Sequence, residues 1–205
     1  MSLSRSRGGA PRRTLLAAAT SALAAALTLS ACSGDTNGKS GDGTNFVQSA
    51  GGTETVAKKD RRAPGKLAGE TLDGKQLDVA AFKGKIVVLN LWGSWCGPCR
   101  AEAKYFAKVS TAVKGQGVEF VGINTRDPDK QSAIAFEKDH GVGYPSLYDP
   151  DGELVLEAFP KGTLNPKGIP TTIVLDRDGK IAARALEALD DKRLRLMIDP
   201  LINEK

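Results

Sequence analysis

The sequence predicts an α/β domain in which a central mixed β-sheet is flanked by helices and carries an N-terminal β-hairpin extension. Three observations lead there. The runs Ile86-Val87-Val88-Leu89-Asn90-Leu91 and Val118-Glu119-Phe120-Val121-Gly122-Ile123-Asn124 are nearly continuous in apolar residues, the mark of strands covered on both faces. Between them, Cys99, Ala103, Phe106, Val109 and Val113 recur every three or four residues until Gly115 and Gly117, which is a helical period with a glycine stop. Further on, two apolar runs flank Asp176-Arg177-Asp178-Gly179, turn chemistry that predicts an antiparallel hairpin. Strand, helix, strand and hairpin together exclude an all-helical or all-strand domain.

The remaining elements follow in chain order. Thr71-Leu72-Asp73-Gly74-Lys75-Gln76-Leu77 reads as a hairpin around Asp-Gly, after which Asp78 caps a short helical turn that runs through Phe82 and stops at Gly84. The buried strand extends from Ile86 to Trp92. After the second strand, Asp127-Pro128 has the cap-then-proline signature of a helix that carries Ala133, Ile134 and Phe136 and closes at Gly141. Leu147-Tyr148 leads into the turn Asp149-Pro150-Asp151-Gly152. Thr171 to Leu175 and Lys180 to Ala183 form the hairpin arms, and a last helix from about Asp190 to Leu201 aligns Leu194, Met197, Ile198 and Leu201 on one face.

The amino terminus says where the domain works. Arg5, Arg7, Arg12 and Arg13 precede an apolar run from Leu15 to Leu29, and no acidic residue occurs before Asp35. A basic stretch followed by an apolar one too short for a comfortable membrane span is the pattern of a secretory signal. It ends at Leu29-Ser30-Ala31-Cys32, which resembles the lipobox of bacterial lipoproteins, so residues 1–31 are expected to be a signal peptide and Cys32 its lipid attachment site. The competing reading is an ordinary secreted chain with a free Cys32. Arg12-Arg13 resembles a twin-arginine export signal only loosely, so the Sec route stays open.

Residues 32–60, rich in Gly, Ser, Thr, Asn and charge, are expected to form a flexible linker whose mean reach is roughly 30 Å. Residues 61–205 then make one domain of ordinary size. The formal charge of +5 from 29 basic and 24 acidic residues falls to near neutrality once the four leader arginines are removed. No nucleic-acid interface is expected on that balance.

Chemistry concentrates in Trp92-Gly93-Ser94-Trp95-Cys96-Gly97-Pro98-Cys99-Arg100, a Cys-x-x-Cys pair delivered by a strand to a helix N-terminus. The unpaired amides and dipole of a helix start favour negative charge, so the sulfur there ionises more easily. Cys96 is therefore the expected nucleophile, and Cys99, one turn deeper, the resolving thiol. Pro98 suits the first turn, Gly97 admits a partner backbone, and Trp95 shields one side. Zinc would need two more ligands, and the chain offers only Cys32 and His140. A permanent structural disulfide closing so small a loop would contribute little.

With its strand, Cys-Gly-Pro-Cys helix, βαβ unit and final hairpin plus helix in order, the domain resembles the thioredoxin fold. Leu72-Asp73-Gly74-Lys75, Val88-Leu89-Asn90-Leu91-Trp92, Trp95 through Glu102 and Gly168-Ile169-Pro170-Thr171-Thr172 narrow the resemblance. They are similar to the TlpA/ResA-type extracytoplasmic thiol-disulfide oxidoreductases of the redoxin/AhpC-TSA branch.

The resemblance covers residues 62–205 and implies membrane-anchored disulfide chemistry on protein substrates, with apocytochrome c as one candidate. It implies no dissociable cofactor, a membrane protein as electron donor and a chain acting as a monomer. It also implies a cis Ile169-Pro170 bond, with Ile169 and Pro170 beside Cys96, where an extended substrate segment pairs. Asn90 stands where thioredoxin carries a buried aspartate and cannot accept the Cys99 proton, which leaves Glu102 as the carboxylate at hand, against the alternative of a solvated helix residue. Lys104 replaces a proline found in many relatives, so the active-site helix is expected to run straighter. His140 is expected to be an ordinary residue at a helix end.

The Gly-Pro spacer favours a reductant, since the thioredoxin potential lies near −270 mV against about −120 mV for strong oxidants. An envelope thiol oxidase is the alternative. A peroxiredoxin-like peroxidase would need threonine at position 93, where Gly93 stands. An adaptor lipoprotein with incidental cysteines is the reading from a different class.

Overall fold

The computed structural model describes residues 44–204 of the 205 in the chain. The expected signal peptide, Cys32 and the first part of the linker lie outside the described residues.

The elements are β1 (Val47–Gln48), β2 (Glu54–Thr55), β3 (Ala68–Glu70), β4 (Gln76–Asp78), β5 (Ile86–Trp92), α1 (Gly97–Ala112), β6 (Val118–Thr125), α2 (Lys130–His140), β7 (Ser146–Asp149), α3 (Glu153–Ala158), β8 (Thr171–Leu175), β9 (Ile181–Ala185) and α4 (Asp191–Asn203). Seven strands form one sheet in the order β1-β2-β9-β8-β5-β6-β7, and β3 and β4 make a separate hairpin. β5, β6 and β7 run parallel, whereas β8, β9, β2 and β1 add antiparallel. This is the mixed sheet with helical layers and a hairpin extension that the apolar runs predict.

β5 explains why the core has two halves. Its side chains alternate between faces, as a strand requires. Val87, Leu89 and Leu91 join a cluster with Phe46, Val56, Leu67, Val155 and Ile173. Ile86 and Val88 join the opposite cluster, where α1 contributes Phe106 and Val109 and α4 contributes Leu194, Met197 and Ile198. Every residue of β5 is buried, so the loop that leads to the cysteines leaves directly from the core.

Three local elements need comment. Asp78 does cap the turn Val79–Phe82, its carboxylate accepting the Ala80 amide at 2.9 Å. α2 starts later than expected: its cap is Asp129, whose side chain accepts the Gln131 amide, and Asp127 is used elsewhere. α3, a short helix after Gly152, had no clear period to reveal it.

The linker expectation fails for residues 44–60. β2 pairs with β9, β1 pairs with β2, and Phe46 and Val56 are buried. The anchor is Arg184 of β9, whose guanidinium lies 3.9 Å from the centre of the Phe46 ring and bonds Glu54. A polar-looking segment is held by a partner distant in sequence.

Candidate functional site

β5 ends at Trp92, and four residues later Cys96 becomes the N-cap of α1. Its Sγ accepts the Cys99 amide at 3.2 Å, the role a Ser or Asp oxygen plays at other helix starts. Cys96 and Cys99 are joined in a disulfide, with Cα atoms 5.3 Å apart. Pro98 stands in the first turn, where it costs no hydrogen bond. Both cysteines are buried, at 4% and 1% exposure, and they pack with Trp92, Ala103, Phe136 and the partly buried Ile169. A sulfur that already accepts an amide hydrogen is set to carry charge when the bond opens.

Two walls flank the pair. Trp95 is 53% exposed and its indole Nε1 donates to the Arg126 carbonyl at 3.0 Å. Across from it, the Ile169–Pro170 bond is cis, as the family resemblance implies. Gly93 lies between the walls: a Cβ there would come 2.8 Å from Trp95 Nε1 and 3.4 Å from Ile169 Cδ1. The loop before Cys96 is pinned by Asp127, whose Oδ2 accepts the Ser94 amide at 2.7 Å and Asn124 Nδ2 at 3.1 Å.

Behind the cysteines, Glu102 is buried in the interior, at 2% exposure, and is no solvated helix residue. Asn90 Nδ2 donates to Glu102 Oε1 at 2.8 Å and the Leu189 amide to Oε2 at 2.9 Å. Burial pushes the carboxyl up to about 7, against the downward pull of these two donors. A cavity of about 10 Å³ borders Cys99, Asn90, Trp92 and Tyr144, room for about one water. Burial, and then the charges of Glu102 and Glu137, hold the proton on the Tyr144 phenol.

The fold therefore sets Trp95, Cys96, Pro98 and Cys99 at the start of α1, brings Ile169 of the cis Ile169–Pro170 step against the cysteines, and buries Glu102 on the next turn of α1. α1 runs unbroken through Lys104. His140 ends α2, its Nδ1 2.9 Å from the Phe136 carbonyl and its ring stacked on Phe136. No sequence pattern marks Arg126, Asn124 or the Leu189 amide as part of the site, and the pattern around Asp127 reads as a helix cap.

The sequence pattern of the Redoxin family matches residues 57–196. Thiol-disulfide oxidoreductase ResA of Bacillus subtilis is 38% identical over 112 residues, which cover 55% of this chain and 59% of that protein. The chain thus spans less than two thirds of the length of the curated relatives it matches.

Among solved structures, a DsbF homologue from Corynebacterium diphtheriae is 37% identical with a TM-score of 0.68, covering 78% of this chain and 100% of its own. A secreted thiol-disulfide isomerase from Corynebacterium glutamicum is 31% identical with a TM-score of 0.70, covering 80% of this chain and 100% of its own.

Proposed function

The chain belongs to the Redoxin family, and from that premise we propose that it is an extracytoplasmic thiol-disulfide oxidoreductase, tethered to the membrane through Cys32, that reduces disulfides in proteins. Cytochrome c maturation is the process in which we place it, with a membrane protein supplying electrons. The observation that carries the proposal is the buried Cys96–Cys99 disulfide at the start of α1, its outer sulfur bonded to an amide and set beside a cis-proline edge.

In the reduced chain the Cys96 thiolate attacks a substrate disulfide, and one substrate sulfur leaves and takes a proton. Cys99, deprotonated, then attacks the Cys96 sulfur of the mixed disulfide. The second substrate thiol is released and the Cys96–Cys99 bond re-forms, so two electrons pass to the substrate. Trp95, Pro98, Ile169 and Pro170 shape the groove that receives the substrate chain. Glu102 is the proton acceptor for Cys99, one turn further along α1 and bonded to Asn90, which borders the small cavity at Cys99. Peroxidase chemistry of the Thr-x-x-Cys kind finds no support at Gly93, where a side chain would press on Trp95 and Ile169.

Cys99→Ser expressed in the native envelope should accumulate a mixed disulfide with the substrate protein, and Cys96→Ser should not. The reduction potential decides direction. A value near −270 mV is expected, and one near −120 mV would make the chain an oxidase instead.

A further inference from the structure

Arg126 follows β6 with φ of 55°, in the left-handed region that residues with a side chain rarely adopt. Its Nε is buried without a hydrogen-bond partner. Both features cost stability, and such costs persist where the surroundings hold a residue for a purpose. The surroundings here are the two walls of the groove. The Arg126 carbonyl receives the Trp95 indole, its guanidinium carbon lies 5.4 Å from the centre of the Trp95 ring, and Nη2 donates to the Lys167 carbonyl at 3.2 Å. Lys167 stands just before Gly168 and the cis Ile169–Pro170 step. Arg126 thus bridges the wall before Cys96 and the wall opposite, and its Nη1 has no hydrogen-bond partner among the described residues.

Charge around the groove points the same way. Arg100 is exposed and bonded to the Ser94 carbonyl at 2.9 Å, and Lys167 is exposed. Asp127, the acid next to Arg126 in the chain, is turned inward on the Ser94 amide and Asn124 and is only 2% exposed, which leaves Asp151, beside Gly152, as the exposed carboxylate near the Arg126 stem. A substrate chain crossing here meets two cations held in place, Arg100 on the Ser94 carbonyl and Arg126 on the Lys167 carbonyl, with the Asp127 carboxylate already committed.

We propose that Arg126 is a specificity-determining residue whose guanidinium accepts substrate segments bearing a carboxylate side chain next to the cysteine attacked by Cys96. The inference rests on the oxidoreductase reading and names its preferred substrate class. Arg is suited to the task because its remaining N–H groups can form a charge-assisted pair with a carboxylate, which an amide cannot match.

The test compares two disulfide peptides that differ only in Glu or Gln beside the reactive cysteine, reduced by the full-length protein with dithiothreitol as electron source. The parent should favour the Glu peptide in kcat/KM by about fivefold, the size expected of a half-exposed ion pair, and the preference should shrink as salt is raised. In Arg126→Asn the ratio should fall toward one. Asparagine tolerates the left-handed backbone, so the carbonyl that holds Trp95 stays in place. A ratio near one in the parent, or an undiminished ratio in Arg126→Asn, overturns the proposal. Turnover of neither peptide would instead remove the oxidoreductase reading and the proposal with it.

Discussion

Asn90 donates its side-chain amide to the carboxylate of Glu102 at 2.8 Å, joining the centre of β5 to the second turn of α1 beneath the disulfide. The pair divides one task between two residues. Asn90 supplies a donor that orients the carboxylate and carries no charge of its own, and Glu102 supplies the titrating group. With the Leu189 amide on the other oxygen, the carboxylate is bonded on both sides yet starved of water. Burial dominates, and the group titrates near neutrality.

A carboxyl raised from 4.5 to about 7 on folding makes the native state bind more protons than the unfolded chain between those values. Stability must therefore fall as pH rises through that window, by about 3 kcal/mol at most, and level off above it. Urea unfolding of the oxidised protein from about pH 4.5 to about pH 8 measures the slope. Burial also raises Glu137, so the diagnostic quantity is the difference between the parent and Glu102→Gln. That variant should lose most of the slope. Parallel curves for the two proteins would separate Glu102 from the effect.

The same group predicts a kinetic signature. If Glu102 takes the Cys99 proton, release of the mixed disulfide should show an apparent pKa near 7 in the parent, because the acceptor works only when ionised. Rapid-quench measurement of the Cys96-linked intermediate should give a rate that rises through neutrality. In Glu102→Gln the inflection should move up toward the ordinary thiol range, while formation of the mixed disulfide by Cys96 keeps its pH dependence. An inflection that stays near 7 in the variant would assign the titration to another group.

Gly122, in the middle of β6, is a second place where the site depends on a missing atom. A Cβ there would come 2.0 Å from Ser146 Oγ and 2.8 Å from Trp92 Nε1, two atoms that face each other at 3.4 Å. Trp92 is stacked on Phe136 with ring centres 4.5 Å apart and belongs to the cluster around both cysteines. Gly122→Ala should cost about 1–3 kcal/mol as an overpacked core and shift the tryptophan emission of the oxidised protein, because Trp92 must move. Adding Ser146→Gly should recover part of the loss. A double variant no more stable than Gly122→Ala would show that Ser146 is not the obstacle.

Much of this architecture was legible because burial writes itself into local patterns. β5 shows as seven consecutive core residues, α1 as a stripe through Cys99, Ala103 and Phe106, and the last hairpin as Asp-Gly between apolar arms. The buried position of Glu102 was implied by that stripe, since it lies three residues beyond Cys99 and beside Ala103, but the usual exposure of charged residues argues the other way. Arg126 and the strap around Phe46 were not legible at all. Their positions are set by contacts across the fold, to Trp95 and Lys167 in one case and to Arg184 in the other, and no sequence period records such pairings.

The Arg184 anchor gives the last prediction. Its side chain, 6% exposed, bonds Glu54 of β2, lies against the Phe46 ring, and donates through Nη1 to the carbonyls of Gly162 and Thr163. One buried cation therefore holds both the N-terminal strap and the loop that leads to the cis Ile169–Pro170 step. Removing it leaves a half-buried carboxylate and two carbonyls without their donor, a loss of about 3–5 kcal/mol when a buried pair is broken. Arg184→Ala should thus be far more destabilising than Lys75→Ala, whose partner Asp73 is exposed. Hydrogen exchange should rise first in residues 46–56 and 160–168, together, because they share this one side chain. If the strap loosens while the loop keeps its protection, the two segments are held independently and Arg184 is a local fastener only.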